Sequence, residues 1–218
     1  MWTKICGIRD LPTALAVAEA GATALGLNFY APSPRSVSPE TAAAIVAGLP
    51  PAIEPVGLFV NHAVPQVEQI ARHCGLRCVQ LHGDETPEAV AHLSREFRVI
   101  RAFRVGDDGL HEVAQYLQQC RDLEGSPWAC LIDAKVAGRY GGTGHVTPWE
   151  LVKREYQWGD WPPLILAGGL NPSNVAEAIA AVNPWGVDVA GGVESAVACK
   201  DLAMVRQFVL AANLSTMH

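Results

Sequence analysis

The chain has 218 residues, of which 50% are hydrophobic and 17% charged, with a formal net charge of −6. That is apolar material for a sizeable core, and the acidic balance argues against a nucleic-acid binder, which needs a basic face. The cysteines at 6, 74, 78, 120, 130 and 199 form no C-x-x-C pair and no zinc-spaced cluster. Without a signal peptide or a bilayer-spanning apolar run, they read as reduced thiols in a cytoplasmic protein with no membrane partner.

The first strand is predicted at Trp2–Ile5, ended by Cys6-Gly7, with Asp10 placed to cap a helix that Leu11-Pro12 opens. Pro12–Ala20 is Ala-rich and stops at Gly21. Thr23–Phe29 is a second apolar strand, a Pro/Ser loop runs from Tyr30 to Val37, and Ser38-Pro39-Glu40 opens a helix. Glu54–Val60 and Arg77–Leu81 are the third and fourth strands, with a helix from about Val64 to Cys74 between them. His82-Gly83 ends the fourth strand, and Thr86-Pro87-Glu88 starts the next helix. Arg98–Arg104 precedes a helix over Gly109–Asp122. Trp128–Asp133 precedes a long glycine-rich loop to Val146, after which Thr147-Pro148-Trp149-Glu150 caps a sixth helix. Leu164–Ala167 leads to a helix opened by Asn171-Pro172, and Gly186–Val189 to a closing helix over Lys200–Asn213.

Eight strand-then-helix cycles averaging roughly 27 residues match the βα unit of a (β/α)8 barrel. The strands are continuous apolar runs, as expected where helices cover a parallel sheet. No linker or composition shift interrupts them, so residues 1–218 are expected to form one α/β domain, a single (β/α)8 TIM barrel. An open doubly wound sheet is the rival, but no G-x-G-x-x-G follows the first strand.

In such a barrel the chemistry sits at the carboxyl ends of the strands. Cys6 occupies one such end, though a lone cysteine reads as well as inert core. Glycine pairs follow the last three strands: Gly141-Gly142-Thr143-Gly144, Gly168-Gly169 and Gly191-Gly192. Their offsets of 27 and 23 residues are about one repeat each, so all three should meet on one sector of the rim. There, close-approaching backbone N–H groups would hold a phosphate. Asp133 ends the sixth strand and could equally cap a helix or pair with Lys135 or Arg139. Arg35 lies in a proline-stiffened loop and suits a carboxylate, or is a solvated loop charge. His82 ends the fourth strand, lining the pocket or satisfying a loop carbonyl.

The chain resembles the phosphoribosylanthranilate isomerase family of tryptophan biosynthesis over essentially its whole length. The resemblance is carried by Lys4-Ile5-Cys6-Gly7, Ser33-Pro34-Arg35-Ser36-Val37, Val56-Gly57-Leu58-Phe59-Val60-Asn61 and Val79-Gln80-Leu81-His82-Gly83. It continues through Asp133 with Gly141-Gly142-Thr143-Gly144, then Leu166-Ala167-Gly168-Gly169-Leu170, and Val187-Asp188-Val189 leading to Gly192-Val193-Glu194. The resemblance implies an Amadori rearrangement of an aminoaldose to an aminoketose, without metal or cofactor. In that mechanism Asp133 would be the general acid that opens the furanose ring, and Cys6 the general base that removes the C2′ proton. Arg35 would hold the anthranilate carboxylate, and the glycine loops, Gly142, Thr143, Gly168, Gly169, Gly191 and Gly192 among them, the phosphate. Such chemistry calls for an acid still protonated near neutrality and for a thiol lowered from its ordinary value.

Two segments depart from the family pattern. Ala190-Gly191-Gly192 stands where Ser-Ser-Gly is expected, and His145-Val146-Thr147-Pro148-Trp149 where Phe-Asp-Trp would follow the glycines. The alternatives are another phosphosugar barrel, such as the histidine-pathway aminoaldose isomerase, an epimerase or indole-glycerol-phosphate synthase, and a non-catalytic phosphate-binding barrel. Cys6 on the first strand, in place of an acid, counts against the histidine-pathway enzyme. Retention of both Cys6 and Asp133 counts against a silent barrel, since binding alone requires neither. Nothing in the sequence separates a monomer from a homodimer.

Overall fold

The computed structural model describes residues 1–106, 108–134 and 148–214. Eight parallel strands, β1 (Trp2–Cys6), β2 (Ala24–Asn28), β3 (Glu54–Phe59), β4 (Cys78–Leu81), β5 (Arg98–Val105), β6 (Ala129–Ala134), β7 (Leu164–Leu166) and β8 (Gly186–Val189), close into a barrel in sequence order. The helices between them are α1 (Leu11–Glu19), α2 (Pro39–Ala47), α3 (Val64–Cys74), α4 (Pro87–Leu93), α5 (His111–Asp122), α6 (Trp149–Glu155) and α7 (Val175–Val182), with α8 (Leu202–Leu214) last. None of the helices among the described residues is long and apolar enough to cross a membrane.

Local chemistry explains several helix starts. Asp10 accepts a hydrogen bond from the Thr13 amide and Ser38 from the Thr41 amide, each ahead of a proline in the first turn. Two helices begin later than the sequence signals. Asn171 accepts from the Ser173 amide in a side-chain-closed turn, which delays α7 to Val175. Asp201 accepts from the amides of Ala203 and Met204, so α8 starts at Leu202. Ahead of it, β9 (Glu194–Ala196) and β10 (Cys199–Lys200) make a small antiparallel hairpin that the sequence pattern does not reveal.

Because side chains alternate along a strand, the barrel wall has two faces. Ile5, Leu25, Leu27, Phe59, Val79, Leu81, Ile132, Leu166 and Val187 point outward into the layer shared with the helices. Ala24, Val56, Cys78, Ile100, Leu131 and Ile165 fill the interior, and Trp2 and Trp128 pack against them. Trp2 stacks on Trp185 with ring centroids 5.4 Å apart, which seals the amino end. Cys6, Leu58 and Val60 form a separate apolar group at the opposite end, the mouth. Register decides who meets there: Lys4 lies directly across from Asp188 of β8, and Cys6 across from Gly26 of β2.

Candidate active site

A cleft of about 750 Å³ opens at the carboxyl end of the strands. Its floor is made by strand-end side chains and its walls by the loops after β2, β7 and β8. Cys6, Arg35, His82, Asp133, Gly168, Gly169, Gly191 and Gly192 all line it. These predicted site residues come together; Gly142 and Thr143, with the rest of the loop after β6, lie outside the described residues.

Cys6 is 6% exposed and Asp133 7%, and they face the cleft from strands three positions apart around the closed barrel. His82 stands beside Asp133, its Nε2 3.3 Å from Oδ2, close but off the line of a hydrogen bond. Gln80, two residues earlier on the same face of β4, presents its amide nitrogen 2.9 Å from His82 Nδ1. With the Gln80 amide donating, Nδ1 accepts, and Nε2 carries a ring N–H on the side of Asp133. The turn that carries His82 is tied down by Glu85, which accepts from the amides of Gly83 and Asn61, and by Arg101, which donates to the carbonyls of Leu81 and Gly83.

Arg35 is shaped by its own loop. Asn28 donates to Ser33 Oγ and accepts from the Tyr30 amide, and Ser33 Oγ accepts in turn from the Arg35 amide. The guanidinium then crosses the rim to Glu194, donating from Nε at 2.8 Å and from Nη2 at 2.7 Å, a bidentate pair. Lys200 donates to the other face of the cluster, to Glu194 Oε1 at 2.7 Å and to the Ala190 carbonyl at 2.8 Å. Burial opposes the Glu194 charge, yet Arg35 and Lys200 outweigh it and hold the carboxyl at about 2. Lys200 itself is lowered by burial, against the pull of Glu194.

The sequence-based expectation of a lowered thiol needs correction. Burial pushes the Cys6 thiol up; Lys4 pulls it down, Asp188 pushes up again and Lys200 pulls down, and the balance is upward. The strand that positions the sulfur also takes it out of water, which favours the neutral form. Lys4, fully buried, donates to Asp188 Oδ1 at 2.8 Å. Burial works against its charge, but Asp188 and Cys6 more than compensate and hold the ammonium above its ordinary value.

On the adjoining sector, after β7, Gly168 and Gly169 have φ of +82° and +68°, a conformation that side chains resist. Among the described residues their amides donate to no backbone carbonyl. Gly192 packs so closely on the loop after β7 that a Cβ would overlap the Leu170 carbonyl oxygen. The two glycine pairs therefore do share one sector of the rim, as their offsets suggested.

Sequence reasoning gave no role to Lys4, Asp188, Glu194 or Lys200; the first three entered only as part of the segments that carry the resemblance. For the first two a signal existed, a charge inside an otherwise apolar strand.

Strands closing in order around a carboxyl-end cleft of ionisable side chains make this a (β/α)8-barrel enzyme. Within that class, the chain belongs to the family described as N-(5′-phosphoribosyl)anthranilate (PRA) isomerase, which it matches over residues 3–211. It is 48% identical over 207 residues to the N-(5′-phosphoribosyl)anthranilate isomerase of Geobacter metallireducens, covering 94% of this chain and 96% of that one. The crystal structure of phosphoribosyl anthranilate isomerase from Thermotoga maritima superposes with a TM-score of 0.84 at 35% identity, covering 98% of each chain. That of a phosphoribosyl anthranilate isomerase in complex with reduced 1-(o-carboxyphenylamino)-1-deoxyribulose 5-phosphate gives 0.82 at 33%, also covering 98% of each.

Proposed function

We propose that the chain converts N-(5′-phosphoribosyl)anthranilate into 1-(2-carboxyphenylamino)-1-deoxyribulose 5-phosphate in tryptophan biosynthesis. The observation that carries this reading is family membership along nearly the whole chain, with Cys6 and Asp133 facing one cleft.

Asp133 protonates the furanose ring oxygen, the C1′–O bond breaks, and an iminium forms at C1′. Cys6 thiolate then takes the C2′ proton; the C–H electron pair becomes the enolamine double bond, neutralises the iminium, and tautomerisation gives the ketone. A thiol pushed up by burial is ionised in a smaller fraction of molecules, but each thiolate is a stronger base. The iminium acidifies the C2′ proton, so the step tolerates this compromise. His82, at the end of β4 and two strands away from β6, faces the Asp133 carboxyl at 3.3 Å.

Arg35 binds the anthranilate carboxylate. Two of the five guanidinium N–H donors are committed to Glu194, which leaves three for a ligand. The phosphate rests on the backbone of Gly168, Gly169, Gly191 and Gly192, with Gly142 and Thr143 of the loop after β6 as further candidates. Gly191 in place of a serine is compatible with contacts made by amides rather than by a hydroxyl. All of these residues belong to one chain, so a monomer and a homodimer serve the reaction alike. Six unpaired cysteines, Cys199 exposed among them, fit the reducing environment of the cytoplasm.

The test generates phosphoribosylanthranilate in situ and follows the loss of its fluorescence. Wild type should consume it rapidly, while Asp133→Asn and Cys6→Ser should approach background. Normal turnover by either variant removes that residue from the mechanism, and inert wild type in a folded sample overturns the activity.

A further inference from the structure

A lysine with 0% exposure in the middle of a barrel needs a reason. Burying an ammonium and a carboxylate together seldom stabilises a fold; well-packed apolar side chains of the same volume do as well or better. The stability of the barrel therefore does not account for Lys4 and Asp188, and what they adjoin does. Lys4 sits two residues before Cys6 on β1, so both side chains enter the barrel on the same face. Asp188, its register partner on β8, takes one Nζ–H at 2.8 Å and fixes the ammonium on that side. Gly26, the register partner of Cys6, keeps the remaining space open. A Cβ there would lie 2.6 Å from Cys6 Sγ and 3.1 Å from Lys4 Cε, so thiol and lysine stem border the same small gap.

We propose that Lys4 is a positioning residue for the isomerisation: from inside the barrel, braced by Asp188, its ammonium stabilises the Cys6 thiolate that accepts the C2′ proton. This rests on the reading of Cys6 as the base. The charged groups bearing on the sulfur are Lys4 on its own strand, Asp188 on β8, Lys200 after the hairpin and Arg35 from the loop after β2. Of these, Lys4 has the largest influence, larger than that of Asp188, which acts in the opposite sense. Substrate arrives from the cleft side, so the thiolate is stabilised from below while its upper side stays open to the C–H bond.

The experiment follows iodoacetamide alkylation of Cys6 by peptide mass mapping from pH 6 to 10, beside the pH profile of kcat. Two variants are compared with wild type. Lys4→Gln keeps a hydrogen bond to Asp188 but removes the charge. Lys4→Met with Asp188→Asn leaves no lone buried charge, so it guards against misfolding of the first. Lys4→Gln should move the Cys6 titration upward by about one pH unit, as expected when an opposite charge within a few ångströms is lost. The double variant should move it upward by less, because the opposing Asp188 charge goes with it. Alkylation at pH 7.5 should slow about ten-fold in Lys4→Gln, and in each variant the alkaline-rising limb of kcat should shift as far as the titration does, with KM little changed. An unmoved titration in either folded variant overturns the role of Lys4, whether or not Cys6 is the base. A titration that moves while the kcat limb stays fixed upholds the hold of Lys4 on the thiolate and removes Cys6 from proton transfer instead.

Discussion

Replacing Glu194 with glutamine tests the rim cluster most directly, because the amide keeps the shape and removes the charge that Arg35 and Lys200 share. The folded carboxyl is held at about 2, against roughly 4.3 in an unfolded chain. That gap of about two units corresponds to ~3 kcal/mol of stability, at ~1.4 kcal/mol per unit. Its side chain is 4% exposed, so solvent screening removes little of this. The lowered Lys200 returns a part, and a net ~2–3 kcal/mol is expected. Since the folded value is depressed, the contribution is complete above the unfolded value and is lost as pH falls through the folded one. Urea unfolding of wild type and Glu194→Gln, followed by far-ultraviolet circular dichroism, should therefore show the full gap at pH 7 and at pH 5.5. The gap should narrow to about half near pH 3. A gap that stays constant across this range would mean lost packing rather than lost charge and would refute the reasoning, as would no gap at pH 7.

Other outcomes follow from the same geometry. Gly26→Ala places a methyl 2.6 Å from Cys6 Sγ; kcat should fall ten-fold or more, on the order expected for a displaced catalytic group, at nearly constant KM, and an unchanged kcat would mean the sulfur has room that the structure denies it. Gly192→Ala forces the loops after β7 and β8 apart where the Leu170 carbonyl intrudes. Stability should drop by ~1–3 kcal/mol and the inhibition constant of inorganic phosphate should rise; unaltered phosphate inhibition would detach that sector from the phosphate. Because burial raises the Cys6 thiol, kcat/KM should climb with pH through neutrality on the side governed by the base, and a profile flat from pH 6 to 9 would show that the thiol does not limit the reaction.

Much of this site was visible before any coordinates, for physical reasons. Cys6, His82 and Asp133 each end an apolar run, and a run that closes into a parallel barrel delivers its last residue to the carboxyl rim. Arg35 was legible through the prolines and serines that stiffen its loop, and the glycine pairs through their repeat spacing. What escaped was pairing. Lys4 and Asp188 each show as a charge in an apolar strand, but they are 184 residues apart, and a barrel expected to close sets the first strand beside the last without giving the register that pairs them. Glu194 was named only as part of a resemblance, since its partner Arg35 lies 159 residues away. The thiol was misjudged because spacing reveals which groups are present and not how little water surrounds them. Helix starts at Val175 and Leu202 slipped because Asn171 and Asp201 hold their own backbone first.

Lys4 meets Asp188 across the join between the first and last strands, and Arg35, from the loop after β2, reaches past the end of the first strand to Glu194 after the eighth. Nothing covalent closes a barrel there; the circle is completed by contacts between the two ends of the chain. Both charge pairs therefore form only when folding has brought the farthest-separated segments together, the entropically slowest contacts the chain makes. A nascent or truncated chain lacking the eighth strand would carry Cys6 and Asp133 but neither brace, with a lysine bound to remain in water rather than beneath the sulfur. With Lys4 in the role proposed above, closure of the barrel and stabilisation of the Cys6 thiolate arrive in the same event.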